Sequence, residues 1–287
     1  MAGTLTLTCQ KPGGGAYIVD GGRPGLRAIG VASGGPADGR AMAAANRLLG
    51  RNSHATCLET TLTGGRWLLS GSGQFTLTGA DMNWQLNGRL LETYSVLFHE
   101  GDGLLTSQPA RWGLRSYLAI NGHWQLPQAL GSAETGLPGI THIKAGWSVD
   151  INWSKASGYR TNLNTSKHLP EDPFSLLVVP GPEWDWLSGP QQKALLSTRF
   201  TVGSRSNRQG IRLESSDFRT VDLPSMISSP VLPGTVQLTP SGPILLGPGA
   251  QTVGGYPRVL LAAKPGKLGL AFQVGLGRPV RFSLVFQ

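Results

Sequence analysis

Thr and Leu alternate from residue 4 to residue 8, the period-two signature of a strand with one buried face. Short apolar runs bounded by glycine and proline recur at 17–19, 66–70, 74–78, 114–120 and 147–151. They continue at 175–179, 198–202, 235–238, 243–246, 259–262 and 280–286. Each has the length and flanking residues of a strand. The runs 66–70 and 74–78, separated by Gly71, Ser72 and Gly73, read as a hairpin. One segment has clear helical spacing. Ala41, Ala45 and Leu48 share a face of residues 39–49, with Met42 and Leu49 beside it. Asp38 stands where a capping side chain belongs, and Gly50 supplies the stop. A second short helix is expected at 191–196, with Pro190 in its first turn. The pattern therefore predicts a mainly β chain with a few short helices.

The stretch 153–173 is polar and has no apolar periodicity, which marks it as a linker. It divides the chain into expected domains at 1–152 and 174–287. The chain has 41 glycines and 20 prolines among 287 residues, enough turn formers for many tight connections. The net charge is +9, but the 25 Lys and Arg form no run and aromatics are only 7%. Basic and aromatic residues are not interleaved, so no nucleic-acid partner is expected. Cys9 and Cys57 are the two cysteines, so neither a disulfide framework nor a zinc site is expected. No apolar stretch is long enough for a membrane helix, and the first ten residues lack a signal-peptide pattern. A cytoplasmic protein with no membrane association is expected.

No phosphate loop, dinucleotide fingerprint, nucleophile elbow or paired-histidine metal motif occurs. The polar groups that stand out lie in turns. Asp20-Gly21-Gly22-Arg23 sets a carboxylate and a guanidinium three residues apart, as a local ion pair or as part of a site. Asn46 sits one residue off the apolar face of the helix, facing either a neighbouring loop or a ligand. Arg205, Arg208 and Arg212 place three guanidiniums within eight residues of a charge-poor chain. Forked donors of this kind suit carboxylate or phosphate, and a solvated basic turn would look the same. Residues 251–258 (Gln-Thr-Val-Gly-Gly-Tyr-Pro-Arg) form a polar turn between two buried strands. Gly254 and Gly255 allow close approach of backbone to a ligand, and Gln251, Thr252 and Tyr256 offer hydrogen-bonding tips. The plain alternative is a hairpin connection without chemistry.

Taken in order, these turns resemble one family. Asp20-Gly-Gly-Arg23-Pro-Gly, Gly35-x-x-Asp38, Ala45-Asn46-Arg-Leu-Leu-Gly50, Leu58-Glu59-Thr-Thr and Arg115-Ser-Tyr-Leu-Ala119 match its first half. Pro180-Gly-Pro182, Ser206-Asn207-Arg208-x-Gly-x-Arg212-Leu213, Pro233-Gly-x-Val-Gln237 and Gln251-Thr252-x-Gly254-Gly255-Tyr256-Pro257 match its second. The family is KipA, also called allophanate hydrolase subunit 2 or the C-type subunit of 5-oxoprolinase, and it is related to biotin-dependent carboxyltransferase domains. The chain departs from the family pattern at Val19, Trp147, Gln209 and Pro248-Gly249.

The resemblance implies two tandem cyclophilin-like β-barrel domains. It implies one component of an ATP-dependent 5-oxoprolinase, acting with KipI-like B-type and A-type subunits to turn 5-oxo-L-proline into L-glutamate. ATP is then a requirement of the complex. The alternatives are a carboxyltransferase component of a biotin-dependent urea or allophanate system, or a non-catalytic KipI-binding regulator. Under the enzymatic reading Asp20, Glu59, Gln251 and Tyr256 are the catalytic candidates, although Asp20 and Glu59 would serve equally well to hold an arginine. Arg23, Asn46, Asn207, Arg208, Arg212, Gln237, Thr252, Gly254 and Gly255 are the candidates for substrate or anion binding. No metal ligand is expected.

Overall fold

The computed structural model describes residues 2–136, 140, 142–154, 170–219, 223–224 and 226–285. The expected linker at 153–173 lies largely outside them. The chain forms two compact units. One comprises Met1–Gly22 and Asp38–Leu169, the other Arg23–Ala37 and Pro170–Gln287.

The first unit contains, in order, β1 (Ala2–Lys11), β2 (Ala16–Val19), α1 (Gly39–Leu48), β3 (Cys57–Thr61) and β4 (Arg66–Asp81). Then come β5 (Gln85–Leu86), β6 (Arg89–Leu90), β7 (Leu97–Thr106), β8 (Trp112–Ile120), β9 (His123–Trp124) and β10 (Ser148–Ser154). All ten strands belong to one half-barrel sheet, with the path β2-β3-β8-β4-β1-β10-β9 and β7 paired along β4. Leu5, Leu7, Trp67, Leu69, Phe75, Leu77 and Ile120 pack the main core on one face. Thr76 and Thr78 alternate with those β4 residues and face α1 instead. Their hydroxyls donate to the carbonyls of Ala45 and Ala41, at 3.1 and 2.7 Å. Met42, Ala45 and Leu49 of this helical segment close a second core with Val19, Cys57, Tyr117 and Ala119. Burial there pushes the Cys57 thiol up to about 12, so it stays protonated and unreactive.

The expected hairpin at 66–78 is instead the single strand β4. Its glycines serve close approach and not a turn. A Cβ on Gly71 (φ 99°) would lie 2.2 Å from the Thr4 carbonyl oxygen, and one on Gly73 would meet Leu5 at 3.2 Å. Both contacts hold β1 against β4.

The second unit contains β11 (Phe174–Pro180), α2 (Gly189–Ser197), β12 (Phe200–Val202), β13 (Gly210–Glu214), β14 (Ser229–Pro230) and β15 (Thr235–Thr239). It continues with β16 (Gly242–Leu246), β17 (Val253–Gly254), β18 (Arg258–Ala262), α3 (Pro265–Ala271) and β19 (Pro279–Leu284). Seven of these strands close a barrel in the order β11-β18-β15-β16-β13-β12-β19. Parallel pairing of β11 with β19 completes the circle. Leu176, Val178, Phe200, Ile211, Leu213, Val236, Leu245, Val259 and Phe282 fill its interior. Strands β14 and β17 form a separate two-stranded ribbon. The mainly β class with few helices is what the alternating pattern implied. No described helix is long and apolar enough to cross a membrane.

Candidate functional site

In the first unit, Glu59 on β3 is fully buried. Its Oε2 accepts from the Tyr117 hydroxyl at 2.9 Å, and its Oε1 lies 3.7 Å from Arg115 Nε. The Tyr117 oxygen in turn accepts from the Asp38 backbone N–H at 2.7 Å. The Asp38 carboxylate caps α1 through the Arg40 and Ala41 N–H groups. Burial, followed by the Glu59 and Asp38 charges, pushes the Tyr117 hydroxyl well above its ordinary pKa, so Tyr117 keeps its proton and donates the hydrogen bond to Glu59. This is a buried network fixed on three elements.

Asp20 and Asn46 are also engaged locally. Asp20 Oδ1 accepts from Gly22 N and Ser132 Oγ, and Oδ2 from Ala133 N, which ties the 132–133 loop to the end of β2. Asn46 donates to the Ala55 carbonyl at 2.7 Å and accepts from Arg51 at 2.8 Å. It staples the turn that follows α1, which is the neighbouring-loop role its position allowed.

The remaining candidates lie in the second unit. Antiparallel pairing places Arg212 opposite Ile244, Ile244 opposite Gln237, and Gln237 opposite Arg258. Residues paired across strands share a face. Their neighbours Ile211, Leu213, Val236, Leu245 and Val259 fill the barrel, so this row faces outwards. An irregularity at Val236–Gln237 shifts the register and brings Arg258 into the row while Val259 and Leu260 are buried.

The ribbon of β14 and β17 sits over the row. Gln237 Nε2 donates to the Tyr256 carbonyl at 3.0 Å, and a Cβ on Gly254 would lie 2.5 Å from that nitrogen. A side chain at residue 254 would have to displace the Gln237 amide from the Tyr256 carbonyl. Val231, Leu246 and Ala250 form a small satellite core beside Ile244. Arg258 anchors the far end. Its Nε and N–H donate to Glu183 Oε2 at 2.9 and 2.8 Å, its Nη2 to Oε1 at 2.6 Å, and its Nη1 to the Pro230 carbonyl at 2.8 Å.

The early segment 23–37 belongs to the same cluster. Arg27 Nη2 donates to the carbonyls of Val231 and Gln251, at 2.5 and 2.8 Å. Gly34 N–H donates to the Pro248 carbonyl at 3.0 Å. Arg208 Nη2 donates to the Gly35 carbonyl at 2.6 Å, and Arg23 Nε to the Ala32 carbonyl at 3.3 Å. The 207–209 loop meets the 247–251 loop through the Gly247 N–H, which donates to the Gln209 carbonyl at 2.8 Å. Asn207 shapes its own loop, its Oδ1 accepting from Gln209 and Gly210 N–H. Arg212 is half-buried, and no hydrogen bond or ion pair occupies its guanidinium among the described residues. Gln251, Gly255 and Tyr256 are exposed, and Thr252 is partly so.

The structure thus gathers Arg208, Arg212, Gln237 and the 251–256 turn around one outer face of the barrel, while Arg23 is tied within the 23–37 segment that meets Arg208 and Pro248. Asp20, Asn46 and Glu59 belong to the other unit. Two cavities of the second unit, of about 120 and 530 Å³, are lined by none of these candidates.

The carboxyltransferase domain, subdomains A and B, matches residues 29–284. The chain belongs to the carboxyltransferase-domain family. It is 32% identical over 277 residues to the C-type subunit of 5-oxoprolinase from Escherichia coli K12, covering 92% of this chain and 86% of that protein. It is 32% identical over 213 residues to a urea amidolyase of Lachancea kluyveri, covering 67% of this chain and 12% of that one. Among solved structures, TTHA0988 superimposes with a TM-score of 0.83 at 28% identity, over 97% of this chain. This chain spans only 55% of TTHA0988.

Within this carboxyltransferase-domain protein, local spacing does not mark Arg27, Glu183 or Gly247. Glu183 and Arg258 carry a testable pH dependence. Hydrogen bonds from Arg258 hold the Glu183 carboxyl below its usual range, against the opposing effect of burial. Such a group stabilises fully above its unfolded pKa, and its contribution is lost as pH falls through the lower folded value. The melting temperature should therefore decline below about pH 4.3, and Glu183→Gln should make that decline shallower. Parallel melting curves for the two proteins would show that the pair plays no part in acid unfolding.

Proposed function

We propose that this chain is the C-type subunit of a cytoplasmic, ATP-dependent 5-oxoprolinase that works with KipI-like B-type and A-type subunits. The observation that carries the reading is the identity to the E. coli protein over nearly the whole chain. The arginine cluster beside the 251–256 turn supports it. A lactam is held closed by amide resonance, and phosphoryl transfer from ATP to its carbonyl oxygen would make the ring carbon open to water. The substrate carboxylate and the developing phosphate charge both need donors fixed in advance. Arg212 offers a fork with no partner among the described residues for one of them, and Arg208 stands on the adjoining loop. Gln251, Thr252 and Tyr256 present polar tips to orient the amide or the attacking water.

ATP is assigned to the complex. Arg208 and Arg212 suit any carboxylate or phosphate, and neither is a nucleotide-specific donor. A second reading, carboxyl transfer in a biotin-dependent urea or allophanate system, is favoured by the similarity to urea amidolyase. The same arginines would then face the transferred carboxylate.

The test is reconstitution with the candidate A-type and B-type partners. Glutamate formed from 5-oxoproline should require ATP and all three chains. Arg212→Ala should lower kcat/KM about tenfold or more, the value of a lost charge-assisted fork. Arg212→Lys should restore little, because an ammonium lacks the planar geometry. Unchanged kinetics in both variants would leave Arg212 a solvated side chain. Turnover of urea with carboxylated biotin, and none of 5-oxoproline, would replace the first reading with the second.

A further inference from the structure

The backbone of the 251–256 turn is held while its polar side chains are not. The Gln251 carbonyl accepts from Arg27 Nη2 at 2.8 Å, and the Thr252 carbonyl from the Val231 N–H at 3.0 Å. Val253 and Gly254 pair with Pro230 and Ser229. The Tyr256 carbonyl accepts from Gln237 Nε2 at 3.0 Å, and the Pro257 carbonyl from the Leu238 N–H at 2.9 Å. The side chains of Gln251, Thr252 and Tyr256 make no hydrogen bond among the described residues. Backbone fixed at both ends with unengaged polar tips between them is the form of a preorganised site.

Arg27 supplies the first of these holds from a loop closed by its own bonds. It opens a single 3-10 turn, Arg27–Ile29, which stops at Gly30 (φ 85°). The Arg23 N–H donates to the Ser33 carbonyl at 2.6 Å, and the Gly34 N–H to the Pro248 carbonyl at 3.0 Å. From this base one nitrogen, Nη2, reaches the carbonyls of both Val231 and Gln251. It thereby ties the end of β14 to the approach to β17. The arrangement is unfavourable for the guanidinium itself. Arg27 Nη1 is buried with no partner, and no carboxylate pairs with Arg27 among the described residues. Burial lowers the Arg27 pKa, the mark of a charge taken from water without full compensation. A neutral donor would tie the same loops at a smaller desolvation cost. A group kept at some expense of stability points to function.

We infer that Arg27 is a positioning residue for the proposed site, whose grip on the Gln251 carbonyl sets where the Gln251 side chain meets the reacting amide or the attacking water. This rests on the 5-oxoprolinase reading given above. Gln237 holds the other end of the turn through Tyr256. The substrate carboxylate is left to Arg212, so loss of Arg27 should disturb orientation more than binding.

The experiment uses the reconstituted three-chain complex. Arg27→Met keeps an apolar stem and removes the donors. It should lower kcat about tenfold or more, the scale of a misplaced reacting group. KM should change by less than about threefold. Arg27→Lys should recover part of kcat, because an ammonium still donates to one of the two carbonyls. A double-mutant cycle separates positioning from bracing. In a Gln251→Ala background the Arg27→Met loss should shrink to about threefold or less, since the side chain it positions is gone. A brace for the fold would lower the melting temperature and the yield of complex and leave kcat per complex unchanged. Hydrogen exchange across 251–256, measured on the chain itself, should quicken about tenfold or more in Arg27→Met. Wild-type kcat in Arg27→Met, unchanged exchange, or the full loss repeated in the Gln251→Ala background each overturns the inference and leaves the 5-oxoprolinase reading intact. A wild-type complex that forms no glutamate from 5-oxoproline overturns both.

Discussion

Replacing Glu59 with alanine is expected to lower the melting temperature by roughly 10 °C, from a cost of about 3–5 kcal/mol for breaking a buried ion pair and about 2–4 °C for each kcal/mol. The size follows from what the carboxylate holds. Glu59 is fully buried beside Arg115, and it accepts a hydrogen bond from the Tyr117 hydroxyl. Tyr117 in turn accepts from the N–H of Asp38, the residue that caps α1. Alanine therefore removes a charge from the low-dielectric interior and loosens the hydroxyl that positions the helix start. Glu59→Gln keeps the shape and an acceptor for Tyr117 but no longer balances Arg115, so it should fall between wild type and alanine. Thermal unfolding of the three proteins near neutral pH decides the matter. A Glu59→Ala protein that melts with wild type would mean that Arg115 and Tyr117 find other partners at no cost. If the variant instead folds normally and loses only turnover, Glu59 acts chemically rather than as a brace.

How much of the fold is legible in the sequence depends on the distance over which each interaction reaches. Helix α1 is legible because its signals are local: Asp38 before it, the Ala41, Ala45, Leu48 spacing within it and Gly50 after it. Six of the seven barrel strands are legible because each is a short buried run between turn formers; β13 (Gly210–Glu214) is not, because it falls in the arginine-rich stretch that reads as a basic turn. Strand β7 escapes the pattern, since the exposed Phe98, Glu100, Gly101 and Asp102 break the alternation that pairing with β4 nevertheless supports. Helix α3 escapes it because Pro265, Gly266 and Gly269 give it poor intrinsic propensity; packing of Leu270, Ala271 and Phe272 into the barrel core compensates.

The site divides the same way. The arginines and the 251–256 turn are visible as unusual local chemistry. Arg27 is not, because its partners lie 204 and 224 residues away. The grouping of Arg23–Ala37 with the later residues is carried by such bonds, including the one from Arg208 to Gly35 across 173 residues. Glu183 is hidden for the same reason, being 75 residues from Arg258.

Gly247→Ala should separate the placement of the arginine loop from the chemistry of the arginine. A Cβ at residue 247 would lie 2.3 Å from the Arg208 carbonyl oxygen and 2.5 Å from Phe272 Cζ. The first neighbour is backbone and the second is a fully buried ring, so neither can swing aside as a flexible side-chain tip would. The 207–209 loop must move outwards, losing the bond from Gly247 N–H to the Gln209 carbonyl and shifting Arg208 away from Gly35. Overpacking of this kind costs about 3 kcal/mol, and the melting temperature should fall by roughly 6–12 °C at about 2–4 °C per kcal/mol. Arg208→Ala removes one half-buried side chain and leaves the loop contact in place, so it should melt within a few degrees of wild type. In the reconstituted complex both variants should lose turnover, and only Gly247→Ala should also lose stability. If Gly247→Ala is destabilised yet turns over as wild type does, the position of the 207–209 loop is irrelevant to catalysis and Arg208 is a structural tie to the 23–37 segment. If Arg208→Ala alone loses turnover while its melting temperature holds, the guanidinium itself is what the reaction uses.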